Sequence, residues 1–240
     1  MIEEQIEHAL KIANNFRYER KYIVPKSMHL NELVAIVKDN SAHFREVFHE
    51  RQVNNIYFDT NDFKYYFDNV DGVADRQKVR IRWYEDILGS IKNPKLEIKI
   101  KNGLVGDKWT YDLNSFTLDS SITGRDLGKL FHDSNLPRPI YEIVRSLNPT
   151  LINSYTRRYF ISANQKFRIT LDYEVFYRNI KTRMNNFSKM PQSDPFNVVE
   201  LKYGLEDDGI ANSISAQFPF RLSKNSKYVN GVNNFQSFPE

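Results

Sequence analysis

The chain has 240 residues, 40% of them hydrophobic and 14% aromatic, with 34 Lys and Arg against 30 Asp and Glu for a formal net charge of +4. This much aliphatic and ring surface excludes a mainly disordered chain, and the length suits one large domain with a substantial core. With no cysteine, disulfides, thiol catalysis and soft metal ligation are excluded.

Taken in order, the chain begins with MIEEQIEHALKIANNF, a short helix over about 1–15 that lacks the basic-then-apolar plan of a secretory leader. A strand is expected near Phe16–Val24, then a helix with Ser27 at its N-cap before HLNELVAIV. Strands follow near Val53–Asp59, Lys78–Tyr84 and Leu96–Lys101, and NGLVG turns into another near Lys108–Leu113. Two helices come next, near Thr123–His132 and Pro139–Leu147. Three later strands, near Asn153–Ser162, Phe167–Phe176 and Asn197–Tyr203, precede C-terminal helices within about 206–235, near Asp207–Gln217 and Ser223–Val232. No repeat or linker divides the chain. Nor does any stretch approach the roughly 20 apolar residues of a membrane helix, so a single cytoplasmic domain spanning 1–240 is expected.

Five of these strands share a pattern. KVRIRWYED sets Lys78, Arg80 and Arg82 against Val79, Ile81 and Trp83, and LEIKIK sets Glu97, Lys99 and Lys101 against Leu96, Ile98 and Ile100. FRITLDYE opposes Arg168, Thr170, Asp172 and Glu174 to Phe167, Ile169, Leu171 and Tyr173, while VVELKY opposes Glu200 and Lys202 to Val199, Leu201 and Tyr203. RYERKY places Arg17, Glu19 and Lys21 together, although its other face holds Arg20 beside Tyr18 and Tyr22. Because successive strand side chains point to opposite faces, each stretch has one charged and one apolar face. A sheet with one wet face gives the same alternation. These faces, however, are dominated by Lys and Arg with interspersed acids, unlike the Thr, Ser and Gln of ordinary wet faces. Closed into a barrel with its apolar faces under helices, such a sheet would have an interior of mutually repelling cations that calls for a dense anion. A phosphate chain fits, with Arg forks, Lys point charges and carboxylates able to hold Mn²⁺ or Mg²⁺.

Other patterns carry less. GRDLGKL at Gly124–Leu130 has one residue too few between its glycines for a phosphate-binding loop and reads as an ordinary helix. His8, His29, His43, His49 and His132 show no metal-ligand spacing. The aromatics of NNIYFDTNDFKYYFD read as core rather than nucleic-acid stacking surface, and no nucleic-acid partner is expected. No serine has the His and Asp context of a nucleophile. KTRMNNFSKMPQSDPFN is a polar loop whose composition suits a mobile cover at a channel mouth.

The ordered series RYERKY, IYFDT, KVRIRWY, LEIKIK, SYTRRYF, FRITLD, VVELKY and SKNSKYVNG, from about Arg17 to Gly231, resembles the VTC domain. This is the polyphosphate polymerase module of the vacuolar transporter chaperone family, within the CYTH-like triphosphate tunnel metalloenzymes. The resemblance implies an α+β fold with an eight-stranded antiparallel tunnel barrel flanked by helices. It further implies a phosphotransferase that moves the γ-phosphate of ATP onto a growing polyphosphate chain with Mn²⁺ or Mg²⁺. Residue by residue, it implies catalytic roles for Arg80, Arg82, Lys99, Arg157 and Arg168, and substrate binding by Lys21 and Lys227; Lys78 and Lys202 share the inward strand parity and are second-rank candidates for substrate binding. Glu200 is the implied metal ligand, with Glu19, Glu97 and Asp172 in second rank. The chain has no room for the inositol-phosphate sensing domain and membrane helices of the eukaryotic complexes, so membrane association would need a membrane-protein partner. A tunnel triphosphatase, a nucleotide cyclase and a non-catalytic polyphosphate- or nucleotide-binding module remain alternatives, because each uses the same cations.

Overall fold

The computed structural model describes residues 17–102 and 105–238. The expected N-terminal helix over 1–15, His8 and part of the NGLVG turn lie outside these residues.

The fold is α+β. One ten-stranded antiparallel sheet carries most of the chain: β1 (Arg17–Pro25), β2 (Arg45–Asp59), β3 (Arg76–Tyr84), β5 (Lys95–Asn102), β6 (Val105–Asp112), β8 (Asn148–Ile161), β9 (Arg168–Asn179), β10 (Gln192–Ser193), β11 (Phe196–Gly204) and β12 (Arg221–Leu222). Strand order is β12-β1-β11-β9-β8-β2-β3-β5-β6, with β10 on β9, and a separate pair is formed by β4 (Gly89–Ile91) and β7 (Phe116–Leu118). The expectation of a closed eight-stranded barrel is therefore corrected. The eight expected strands are all present, but β12 and β6 end the ladder without pairing to each other, and short strands extend the sheet. The sheet nevertheless curls far enough for side chains of β1 and β5, six strands apart in the order, to meet: Lys99 Nζ lies 3.1 Å from both Glu19 carboxylate oxygens.

Among the described residues there are six α-helices, α1 (Leu30–Lys38), α2 (Lys64–Val70), α3 (Gly124–Asp133), α4 (Arg138–Val144), α5 (Asp208–Ala216) and α6 (Lys227–Asn233); the outward apolar faces lie under α1, α3, α4 and α5, while α2 and α6 meet residues of the inner face. On one side Ile56, Val79, Ile81, Trp83, Leu96 and Ile98 pack beneath Leu127, Leu130 and Phe131 of α3 and Ile140 and Val144 of α4. On the other, Tyr22, Val24, Ile169, Leu171, Val199 and Leu201 pack beneath Leu33, Val34 and Val37 of α1 and Ala211 and Ile214 of α5. Burying a side chain of this size contributes roughly 1.5–3 kcal/mol, so these two layers hold the curl from outside.

A third cluster fills part of the inner face, where Val53, Tyr57, Leu151, Tyr155, Val175 and Tyr177 meet Tyr228 and Val232 of α6 and Tyr66 of α2. Phase reversal explains how β9 contributes to it. A bulge opposite Tyr155 leaves Glu174 at φ 51° and exposed, so that Val175 and Tyr177 turn inward. Glu174 therefore does not continue the charged row of Arg168, Thr170 and Asp172. The odd face of RYERKY has an equally local cause: Arg20 turns outward, donating to Tyr203 Oη at 2.6 Å and to Asp208 Oδ1 at 2.9 Å.

Two further expectations change. The first helix begins at Leu30 with His29 as N-cap, not at Ser27, because Pro25 and Met28 close a turn first (Met28 N to Pro25 O, 3.1 Å). The polar segment of residues 181–197 is anchored rather than standing free over a mouth. Arg178 Nη1 donates to the carbonyls of Phe187 and Lys189, Asn185 Nδ2 donates to Ile122 O, and Phe187 is buried in the outer core. GRDLGKL is a helix, capped by Thr123, whose hydroxyl oxygen accepts from Asp126 N while the Asp126 carboxylate accepts from Thr123 N.

Candidate functional site

The charged rows converge on the concave face because cross-strand register keeps their parity: Lys78 stands opposite Lys99, Arg80 opposite Glu97, Lys21 opposite Glu200, Glu19 opposite Lys202 and Arg157 opposite Asp172. Three ionic groups result.

In the first, Glu97 is buried and accepts from Arg80 Nε and Nη2 at 2.8 and 2.6 Å and from Lys108 Nζ at 3.2 Å, with Arg82 Nη1 at 3.4 Å. Burial alone would raise the Glu97 carboxyl, but Arg80, Arg82 and Lys108 outweigh it and hold the group well below its ordinary value. The two guanidiniums are aimed by neutral groups. Arg80 Nη1 donates to Tyr57 Oη at 3.2 Å, Arg82 Nε to Asn55 Oδ1 at 3.0 Å and Arg82 Nη2 to Tyr155 Oη at 3.2 Å. Asn55 is itself fixed by donating to Asn153 Oδ1 at 2.8 Å.

In the second, Asp172 is 1% exposed and lies between Arg157, whose Nη2 donates to it at 2.7 Å, and Lys227. Burial pushes its carboxyl up, and the two cations more than reverse this, bringing it to about 2. The third is looser. Glu200 sits 3.5 Å from Lys21, 3.4 Å from Lys202 and 3.5 Å from Thr170 Oγ1, while Glu19 holds Lys99 and lies 3.8 Å from Lys202. Burial opposes the charge on both Lys21 and Glu200, yet Glu200 and Glu19 raise the ammonium, and Lys21, Lys202 and Arg157 hold the Glu200 carboxyl well below its ordinary value.

Lys78 has a different position. Its ammonium donates to Ser226 Oγ at 2.9 Å and pairs with no carboxylate of the described residues. Burial, then Lys21, Lys99, Arg80 and Arg76, push its pKa well down. Among the described residues, Lys21, Lys78, Arg80, Arg82, Lys99, Lys108, Arg157, Lys202 and Lys227 thus face only Glu19, Glu97, Asp172 and Glu200. The interior carries excess positive charge that an anion would relieve.

Twelve of the thirteen sequence-predicted site residues are brought together in this way. Arg168 shares the inward row, opposite Lys202, but it is exposed at the start of β9 and makes no ion pair among the described residues. Sequence reasoning missed Lys108, although it lies on a predicted strand. It also missed Asn55, Tyr57, Tyr155 and Ser226, which aim the cations. These neutral residues have no sequence signal of their own, since their roles come from register alone.

A divalent cation fits only in one manner. Glu97 and Asp172 are committed to Arg and Lys, and no three His, Asp or Glu side chains among the described residues are grouped to hold a metal. Glu200 and Glu19 are diagonal neighbours across the β1–β11 ladder, within reach of one another for long side chains. Mg²⁺ and Mn²⁺ bind in such settings by one or two carboxylates completed by phosphate oxygens and water. The donor set therefore fits a metal that arrives with a phosphate ligand.

The curled antiparallel sheet and its outer helices gather the cation-rich rows on one concave face. The VTC domain family matches residues 16–236, and the chain belongs to that family. Among solved structures, the PH1819 protein from Pyrococcus horikoshii OT3 is similar at 11% identity and TM-score 0.51, with 91% of this chain and 99% of that chain covered, a likeness of fold. A candidate adenylate cyclase from Vibrio parahaemolyticus is similar at 15% identity and TM-score 0.49, with 90% and 97% covered. A candidate adenylyl cyclase from Hippeastrum, described with a dominant triphosphatase activity, is similar at 14% and 0.48, with 92% and 97% covered. No curated protein matches. No helix of the described residues is long and apolar enough to cross a membrane.

Proposed function

We propose that this chain is an ATP-dependent polyphosphate polymerase. Membership in the VTC domain family supports the class. The observation that carries the reading is the inner row of Arg80, Arg82, Arg157, Lys21, Lys78, Lys99, Lys202 and Lys227, too rich in charge to be neutralised by its own four carboxylates.

In the proposed reaction a terminal oxygen of the acceptor phosphate attacks the γ-phosphorus of ATP. The bond from that phosphorus to the β,γ-bridging oxygen breaks, ADP leaves with the electron pair, and the acceptor is longer by one phosphate. The acceptor oxygen is ionised at neutral pH, so no general base is needed, which agrees with the absence of a His or Ser constellation. Catalysis then rests on alignment and charge. Arg80 and Arg82, aimed by Tyr57, Asn55 and Tyr155, offer forked donors to phosphate oxygens. Lys227 and Arg157, which lie over the ring of the same Tyr155, offer a second set beside them. Mn²⁺ or Mg²⁺ held by Glu200 and Glu19 would supply further neutralisation of phosphate charge.

The test is incubation with ATP and Mn²⁺ and gel separation with a polyphosphate stain, on the wild type and on Glu200→Gln and Arg82→Ala. A ladder lost in both variants is expected. Phosphate release without a ladder would reassign the chain as a triphosphatase, cyclic AMP as a cyclase, and metal-indifferent triphosphate binding without turnover as a binding module.

A further inference from the structure

Where β3 ends and β2 and β8 run beyond it, the inner face changes from ionic to aromatic. Tyr84 follows Arg82 by two residues on β3, and Tyr159 follows Arg157 by two residues on β8, so each ring stands on the same face as a channel guanidinium and one step outward from it. Phe48 of β2 packs edge-on to Tyr159, with centroids 5.9 Å apart. Arg51 lies among all three rings, its Cζ 5.3 Å from the Phe48 centroid and 5.9 Å from those of Tyr84 and Tyr159. No carboxylate of the described residues pairs with Arg51 within 4 Å. Phe48 is 54% exposed and Tyr84 44%, so both residues keep surface open to solvent beside the Arg51 contact.

We propose that this rim seats the base of a nucleoside triphosphate whose phosphates lie among Arg82, Arg157 and the deeper cations. The inference rests on the phosphate-channel reading and adds to it the part of the ligand that phosphate contacts cannot distinguish. Two residues along a strand span roughly 6.6–7 Å, a step comparable to that from a base across its ribose to the first phosphate. An aromatic placed one such step beyond a phosphate-binding guanidinium therefore meets the base. Exposed rings stack on any base because every base has a π face, and Arg51 adds a cation beside the first phosphate. The same rim offers little to an unadorned phosphate chain. Of its four side chains only Arg51 is charged, and the neighbouring hydroxyl of Tyr173 is directed at the Glu50 carboxylate.

The experiment is calorimetric titration of the purified full chain with ATP and, separately, with inorganic tripolyphosphate, for the wild type and for the double variant Phe48→Ala/Tyr84→Ala. Both side chains are largely exposed, so folding is expected to survive, and circular dichroism melting confirms it. The proposal expects ATP affinity to fall roughly tenfold while tripolyphosphate affinity stays within twofold. Equal weakening of both ligands, or no change in either, overturns it. Failure of the wild type to bind either ligand overturns the channel reading itself, and the base seat with it. Tight tripolyphosphate binding with ATP unaffected by the substitutions overturns the seat alone.

Discussion

Arg157 and Asp172 face each other across the β8–β9 ladder, with the guanidinium donating to the carboxylate through Nη2 at 2.7 Å, and Lys227 reaches the same carboxylate from α6. One buried acid thus holds two cations from elements that are distant in sequence. Asp172→Asn keeps the shape and removes the charge, leaving Arg157 and Lys227 to repel. The expected loss is roughly 3–5 kcal/mol of unfolding free energy, measured by urea denaturation at neutral pH. The sign with pH follows from the depressed carboxyl. Its stabilising contribution is present above the ordinary Asp value of 3.8 and is lost as pH falls toward about 2. The wild type should therefore lose stability through this window, and the variant should show a flatter acid limb. Tripolyphosphate, which can replace the missing negative charge, should raise the melting temperature of the variant more than that of the wild type. Equal stability of the two proteins at neutral pH would remove Asp172 from its organising role.

Lys78 presents the opposite balance. Burial and the nearby Lys21, Lys99, Arg80 and Arg76 depress its pKa, so the charged form destabilises the folded, ligand-free protein, and that penalty is relieved as pH rises through the folded pKa. Lys78→Met is expected to raise the melting temperature of the ligand-free protein by about 2–4 °C, as about 1 kcal/mol does in a chain of this size, and to weaken tripolyphosphate binding. An anion bound beside Lys78 would restore its ordinary pKa, so binding to the wild type at alkaline pH should take up protons. Calorimetry in buffers of different ionisation enthalpy reads that uptake. A Lys78→Met protein that is less stable, or that takes up protons as the wild type does, would refute this account.

The helix cap on the outer layer supplies a control with a different expected pattern. Thr123→Ala removes the hydroxyl that caps α3 through Asp126. The expected cost is about 1 kcal/mol in chemical denaturation, with tripolyphosphate affinity unchanged, because α3 packs on the outer face and reaches no channel cation. A matching loss of affinity would mean that the outer layer governs the channel more directly than its packing indicates.

These residues also show what could be read without coordinates. The alternation in KVRIRWYED, LEIKIK and VVELKY placed Arg80, Arg82, Lys99, Glu200 and Lys202 on one face correctly, because a strand period of two is insensitive to errors of a few residues at strand ends. It carried no information on how far the sheet closes, since closure depends on edge pairing between β12 and β6 rather than on pattern. The bulge at Glu174 was equally hidden, and one extra residue there reversed the phase of β9. The helix α2 was missed because KYYFDNV is aromatic and short. Its first turn is held by Asp59, which accepts from the backbone N–H groups of Thr60, Tyr65 and Tyr66, a cap from upstream of the ordinary N-cap position, which Phe63 occupies. Lys108 escaped notice because its strand lacks the clean alternation of the others, although it closes on Glu97 at 3.2 Å.

Gly231 links the apolar part of the interior to the ionic part. A Cβ at this position would overlap Leu151 Cδ2 and lie 2.6 Å from Tyr177 Cδ1, so α6 approaches β8 and β9 as closely as it does only because the residue is glycine. The same helix brings Lys227 to Asp172 and is preceded by Ser226, which receives Lys78. Gly231→Ala would gain helix propensity, but the overlap with a Leu terminus and a Tyr ring should cost roughly 1–3 kcal/mol and push the helix outward. Two measurements separate these effects. Urea denaturation is expected to show net destabilisation, and tripolyphosphate titration is expected to show weaker binding because Lys227 and Ser226 move with the helix. Added stability with unchanged affinity would mean that Leu151 and Tyr177 yield without moving α6, and the coupling between this helix and the channel cations would have to be abandoned.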